Sequence, residues 1–406
     1  MVFLHISDLH LGKTLQNKSL IEEQREWSRR FLDLVRREQP DAIVIAGDVY
    51  DRAAPSGEAV ELLDRFLTDL LDADGKPAVM VVAGNHDSGQ RLAFGSGILS
   101  RQRLYIAGRT ERDIMRVELS DDKGPVSFWL MPYTFPAAIG QALGVEEVPR
   151  NYTDAVKLYL GAQNIDRTGR NVLVAHQSVT SDGKEAEQGG SETMIGGVGG
   201  IDVSAFDDFD YVALGHIHKG QHIGRETVRY AGSPLCYHFD ETRWPRKGAL
   251  RVELGEKGQV DVRLVEIPPP HPLRVVEGAY DDIVRDETAS PVRGEYVKVV
   301  LTDRRMEPTI SDALHALFSM KDSLVLETLS AFGRMTEGSA AASGSSTRER
   351  TLAEKFSDFW RARHAGADPD DKTLALIELA AGQVESGSGA VDDDAQALVT
   401  LAGKED

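Results

Sequence analysis

The sequence predicts a layered α/β fold: two sheets packed face to face, helices outside them, then a small α+β cap and C-terminal helices. Three observations predict it. Wholly apolar runs at residues 42–46, 78–83 and 211–214 read as buried parallel strands. Amphipathic stretches lie between them, and strand–helix–strand succession implies crossovers over a sheet. After Arg103, strand-like pieces dominate at residues 126–132, 171–176, 229–233 and 248–254, enough for a second sheet.

The elements follow in order. Residues 2–7 open as a strand. Between residues 21 and 38, Trp27, Phe31, Leu34 and Val35 fall at helical spacing, and the segment ends before Pro40. Residues 57–71 repeat the pattern through Val60, Leu63, Phe66, Leu67 and Leu70. Ile267, Pro268, Pro269 and Pro270 form a stiff break, which sets a first domain at 1–266. The cap is expected over 271–332, with strands at 273–277, 296–301 and 323–328 and a helix at 310–320. Residues 333–347, rich in Gly, Ser and Ala, read as a flexible linker. In the helical segment 348–383, Leu352, Phe356, Phe359 and Trp360 share one face, and residues 374–379 seed a shorter helix. The acidic stretch 384–406 is expected to be disordered.

Composition narrows the class. A hydrophobic fraction of 41% and a charged fraction of 27% over 406 residues fit an ordinary soluble protein. The single cysteine, Cys236, excludes an intrachain disulfide framework and a thiolate-ligated zinc site, and reads as a small buried apolar residue. No leader-like segment opens the chain and no apolar stretch approaches the roughly 20 residues a bilayer needs, so a cytoplasmic protein without a membrane is expected. The net charge of −19 argues against nucleic-acid binding by basic side chains alone. Bound metal ions, the grouping of acids in the tail, or a basic partner subunit would offset it.

The chemistry collects at strand ends, where open α/β sheets place it. Asp8 and His10 close the first strand, two apart, so that an extended backbone sends both side chains to one side. Gly47 and Asp48 follow residues 42–46, with Asp51 and Arg52 just beyond. Gly84, Asn85, His86 and Asp87 crowd together after residues 78–83 for no packing reason. His176 ends another strand, and Gly215, His216, Ile217 and His218 aim two imidazoles alike. His5, one strand step back from the first block, reads as a core histidine. These groups suffice for two metal ions sharing a carboxylate. Oxygen and imidazole ligands without thiolate suit Mn²⁺, Fe²⁺ or Zn²⁺ better than Mg²⁺ or Ca²⁺.

The series D-x-H, G-D-x-x-D-R, G-N-H-D, a lone histidine and G-H-x-H resembles the calcineurin-like metallophosphoesterases. Residues 4–12, 47–55, 214–219 and 230–235 are similar, more narrowly, to the SbcD nuclease subunits of bacterial SbcC–SbcD DNA-repair complexes. That resemblance, over residues 1–330, implies an α/β/β/α sandwich and assigns roles. Asp8, His10 and His218 would hold a first metal, Asn85, His176 and His216 a second, and Asp48 would bridge them. His86 would be the catalytic histidine, oriented by the Asp51 carboxylate, and Arg52 would contact phosphate. The activity implied is Mn²⁺-dependent DNA cleavage, as a 3′–5′ exonuclease on duplex ends and an endonuclease on single strands or hairpins, in repair and recombination. The partners implied are DNA, an SbcC-type coiled-coil ATPase docked through Leu352, Phe356, Phe359 and Trp360, and a second copy of the chain within a heterotetramer. A small-molecule phosphodiesterase and a non-catalytic scaffold tethering DNA ends are the alternatives.

Overall fold

A computed structural model describes residues 1–145, 147–189 and 200–331. The linker, the helical segment with Leu352, Phe356, Phe359 and Trp360, and the acidic stretch lie outside the described residues.

The sandwich is built from two six-stranded sheets. The first runs, in spatial order, Val260–Glu266, Gly248–Leu254, Val2–Ile6, Ala42–Ala46, Ala78–Val82 and Leu104–Ala107. From Val2–Ile6 to Leu104–Ala107 the pairing is parallel, and Gly248–Leu254 joins antiparallel. The second sheet runs Gln221–Ile223, Arg225–Tyr230, Tyr211–Gly215, Arg170–His176, Gly124–Met131 and Met115–Asp121. Its central strands are parallel as well. Strands covered on both faces cannot alternate polar with apolar residues, which is why Ala42–Ala46, Ala78–Val82 and Tyr211–Gly215 are buried throughout.

Alternate side chains divide between two cores. Phe3, Val44, Met80 and Val252 meet Phe128, Leu130, Val172, Val174 and Tyr211 between the sheets. Ile43, Ile45, Val79 and Val81 face outward against the helices Ile21–Glu38 and Gly57–Leu71. On the far side Leu173, Val212 and Leu214 pack under the helices Pro136–Leu143 and Tyr152–Gly161. The four layers are therefore α/β/β/α.

The helix Ile21–Glu38 obeys its sequence closely. Glu22 and Glu23 sit in its first turn and Arg36 and Arg37 in its last, favourable to the helix dipole, and it stops in left-handed Gln39 before Pro40. Trp27 stacks on Phe31 at 5.2 Å between ring centroids, and Phe66 of the next helix closes on both. Each such buried side chain contributes about 1.5–3 kcal/mol.

Past Ile267, the strands Leu273–Gly278, Tyr296–Leu301 and Leu324–Ser330 form a separate parallel sheet. The helices Tyr280–Ala289 and Pro308–Ser319 connect them, and Val297, Val299, Leu314 and Phe318 form their own core. Strand and helix alternate over a parallel sheet, so this small unit is α/β where α+β was expected. It leans on the sandwich through Glu23, which accepts from Tyr296 Oη and pairs with His271 Nδ1, each at 2.8 Å. No helix among the described residues is long and apolar enough to cross a membrane.

Candidate metal centre

Every strand-end block converges on one point. Asp8, His10, Asp48, Asn85 and His86 come from the first sheet, and His176, His216 and His218 from the second. The loops after Val2–Ile6 and Ala42–Ala46 continue to pair beyond their strands, with Asp8 N donating to Gly47 O at 3.0 Å and His10 N to Asp48 O at 2.9 Å. To turn inward, Asp8 (φ 53°), His10 (φ 42°), Asp48 (φ 47°) and His216 (φ 101°) all adopt left-handed backbone. That conformation costs non-glycine residues of order 1 kcal/mol or more each and clusters at functional sites.

The glycines of the motifs make room. An ideal Cβ on Gly84 would lie 2.1 Å from Asp48 Oδ1, one on Gly215 would lie 1.9 Å from Ala46 O, and one on Gly47 would lie 2.3 Å from His176 Nδ1. Gly84 and Gly215 have ordinary φ, so close approach alone accounts for them.

Two groups of ligand atoms result. His10 Nε2 faces His218 Nε2 at 3.0 Å, and Asp8 completes a buried trio within 4.8 Å. Asn85 Oδ1 lies 3.0 Å from His176 Nε2 and 3.1 Å from His216 Nδ1. Asp48 Oδ2 stands between the groups, 3.6 Å from His10 Nε2 and 3.3 Å from His176 Nε2. The ring tautomers suit ligation. His176 Nδ1 donates to Ala46 O at 2.8 Å, which leaves Nε2 toward Asp48 and Asn85.

This donor set fits divalent cations. Among the described residues no Lys or Arg pairs with Asp8 or Asp48, two buried carboxylates, and His10 Nε2 and His218 Nε2 face each other at 3.0 Å beside them. Burial raises the Asp8 carboxyl above its usual range. Burial would also raise Asp48, but His176, His10 and His86 hold it well below the carboxylate range. Burial opposes a charge on His176, yet Asp48 outweighs it and pushes it up to about 9. His216 is lowered to about 3 by burial and by neighbouring His176.

His86 sits at the rim, half-buried, its ring edge-on to His10 at 4.9 Å. One expectation is corrected here. His86 Nδ1 donates to the main-chain carbonyl of Asp51 at 2.9 Å, not to its carboxylate. That carboxylate is drawn to Lys13 Nζ at 2.8 Å, a cation the D-x-H loop brings alongside. Arg52 is 77% exposed, with Nε 3.6 Å from Asp51 Oδ2. His5 is a core histidine: it is fully buried, bonded to Tyr211 Oη at 3.0 Å and Leu214 O at 3.2 Å, and burial lowers it to about 3. Cys236 is half-buried, and burial pushes its thiol up to about 11.

Other contributors lie outside the ligand motifs or had no role read for them. Gln24 Nε2 donates to His10 O at 2.7 Å from within a helix, and its Oε1 accepts from Gly12 N at 2.9 Å, so one side chain holds the D-x-H loop. Asp87 accepts from the backbone N–H groups of Val49, Tyr50 and Gly84, tying two ligand loops together. Glu241 accepts from His218 Nδ1 at 3.1 Å. Burial would raise Glu241, but Lys247 and His218 bring it down to about 2. Of these only Asp87, inside G-N-H-D, carried a local signal.

Comparison with known proteins agrees with this geometry. Residues 1–220 match the calcineurin-like phosphoesterase family. The SbcD component of the nuclease SbcCD from Staphylococcus epidermidis is 32% identical over 305 residues, covering 75% of this chain and 79% of that one. The chain belongs to the calcineurin-like phosphoesterases, in the SbcD family. The corresponding SbcD component from Staphylococcus saprophyticus is also 32% identical, over 71% of this chain and 74% of its own. This phosphoesterase is accordingly a hydrolase acting on phosphodiester bonds, and its clustered His and Asp groups are those of a divalent-metal site.

Proposed function

We propose that this phosphoesterase is a Mn²⁺-dependent DNA nuclease with two cations per chain, working with an SbcC-type ATPase in repair and recombination. The observation that carries the reading is Asp48 Oδ2, set between His10 Nε2 and His176 Nε2, with Asp8 and His218 on one side and Asn85 and His216 on the other. These residues would hold a pair of divalent cations, whose chemistry when bound would be to acidify a water and offset charge on the phosphate. The protein's own groups do the rest. His86, fixed at Nδ1 by the Asp51 carbonyl, presents Nε2 as the atom that gives a proton to the leaving 3′ oxygen. Arg52, exposed to solvent with Nε 3.6 Å from Asp51 Oδ2, would contact a flanking phosphate.

The partner assignments rest on the relatives' names and on exposed apolar groups. A second copy of the chain would find Phe94 and Ile98, 86% and 73% exposed on the segment after G-N-H-D, available for contact. Leu352, Phe356, Phe359 and Trp360 would dock on the ATPase as a helix in a groove. Domain limits of 1–266, 271–332, 333–347, 348–383 and 384–406 accompany this reading, as does a cytoplasmic location.

The net charge of −19 favours a rival, a phosphodiesterase for small substrates. One assay separates them. Linear duplex DNA, single-stranded DNA and an aryl phosphodiester are offered to the full chain with and without Mn²⁺. Nuclease function predicts Mn²⁺-dependent DNA cleavage, exonucleolytic from duplex ends. Turnover of the aryl ester alone would overturn it. A chain ending near Gly333 should still cleave single strands and fail to co-purify with the ATPase.

A further inference from the structure

Glu241 and Lys247 form a buried ion pair outside every ligand motif. Glu241, in the turn Phe239–Arg243, is fully buried, and Lys247 is 6% exposed. Charges at that depth are costly unless paired and fully hydrogen-bonded. Here they are. Lys247 Nζ donates to Glu241 Oε2 at 2.7 Å, to Ser233 Oγ at 2.8 Å and to the His218 carbonyl at 2.8 Å, which uses all its protons. Ser233 Oγ, whose one proton reaches Leu235 O at 2.8 Å, also lies 3.1 Å from Glu241 Oε2. Glu241 Oε1 accepts from Tyr237 N at 3.2 Å and from His218 Nδ1 at 3.1 Å.

We propose that the Glu241–Lys247 pair is a positioning device for His218, fixing its tautomer and its backbone so that Nε2 is presented to the first metal position. An ionised carboxylate can only accept, so His218 Nδ1 must be the donor and Nε2 keeps its lone pair toward His10 Nε2. Lys247 Nζ donates both to the Glu241 carboxylate and to the His218 carbonyl, so the ring's partner and the main chain are held by one side chain. Among the described residues nothing comparable stands on the other ligand group: His176 is oriented by a main-chain carbonyl, Ala46 O. The inference rests on the reading that His218 is a ligand of the first metal.

The test is Mn²⁺ titration of the full chain, with bound ions counted by electron paramagnetic resonance and fold checked by melting of the metal-free protein. Glu241→Gln should weaken one of the two ions by about ten- to a hundredfold, the scale for carboxylates that hold a ligating imidazole, and leave the other at wild-type affinity. In a His218→Ala background the same substitution should have no further effect. Equal weakening of both ions, or an undiminished effect in that background, would overturn the proposal. If His218→Ala leaves both ions at wild-type affinity, the ligand reading itself fails and takes this inference with it. Should Glu241→Gln not fold, Glu241→Gln/Lys247→Met removes both buried charges together and carries the same expectations.

Discussion

Gly84→Ala is the sharpest single-atom probe of the centre. Gly84 has ordinary backbone geometry, so the substitution adds no conformational strain and its whole effect is the new methyl. That methyl would stand 2.1 Å from Asp48 Oδ1, 2.3 Å from Asp48 N and 2.8 Å from Asp48 Cγ. Ordinary contact distances of about 3.5 Å require the aspartate or its strand end to retreat by more than about 1 Å. Overpacking of this kind costs about 1–3 kcal/mol, and a misplacement of about 1 Å at a reacting centre costs on the order of a hundredfold in rate. Gly84→Ala should therefore lower the melting temperature and lose Mn²⁺ affinity and turnover together, because the displaced carboxylate is the one shared by both ligand groups. The control is Gly57→Ala, where a Cβ meets nothing within 4 Å. It should be neutral or stabilising by about 0.4–1 kcal/mol. Calorimetric Mn²⁺ titration, aryl phosphodiester hydrolysis and thermal melts on both variants decide it. Wild-type affinity for both ions in Gly84→Ala would refute the close-approach argument.

Other expectations follow from the same geometry. His86→Ala should keep both ions in a titration while turnover falls by about 10²–10⁴, the scale of a general acid. Because the Asp51 main chain orients His86, Asp51→Asn should reduce turnover by less than about tenfold, the scale of a carboxylate that pairs with Lys13 and stands 3.7 Å from His10 Nδ1. Asp48→Ala should empty both metal positions, whereas Asp8→Ala should empty one, with elemental analysis as the measurement. Asp121→Ala should lower stability to urea by about 3 kcal/mol, since it strips the carboxylate from Arg170, whose side chain is 5% exposed.

The proposed ligands were legible because parallel strands buried on both faces must be apolar throughout, so polar residues announce where Val2–Ile6, Ala42–Ala46 and Ala78–Val82 end. The helices Ile21–Glu38 and Gly57–Leu71 were legible for the complementary reason: each buries one stripe and punctuates its ends. The cap helix Tyr280–Ala289 left no such trace, with only Ile283 and Glu287 buried. Helices Pro136–Leu143 and Tyr152–Gly161 were lost among strand-like neighbours. Within the site, the partner of the Asp51 carboxylate depends on where the loop carries Lys13, a tertiary fact with no local pattern. Glu241 was invisible for the same reason: it meets His218 from 23 residues away, in a turn without periodicity. Gln24, a polar residue not among the apolar ones that mark its helix in the sequence, is 2% exposed and holds the D-x-H loop.

The division of ligands between the sheets gives a filled centre a second role, as a clasp. Asp8, His10, Asp48 and Asn85 belong to one sheet and His176, His216 and His218 to the other, so any cation held by both sets ties the halves of the sandwich together. His10 and His218 are 208 residues apart in sequence. Closing a loop of that size restricts the unfolded chain by about 5 kcal/mol in the chain-entropy estimate for a disulfide. A chain with one cysteine can form no such link within itself. Here the cross-link would be reversible, made and broken by the supply of metal, and chelation would loosen the seam between the sheets before it reached the outer helices.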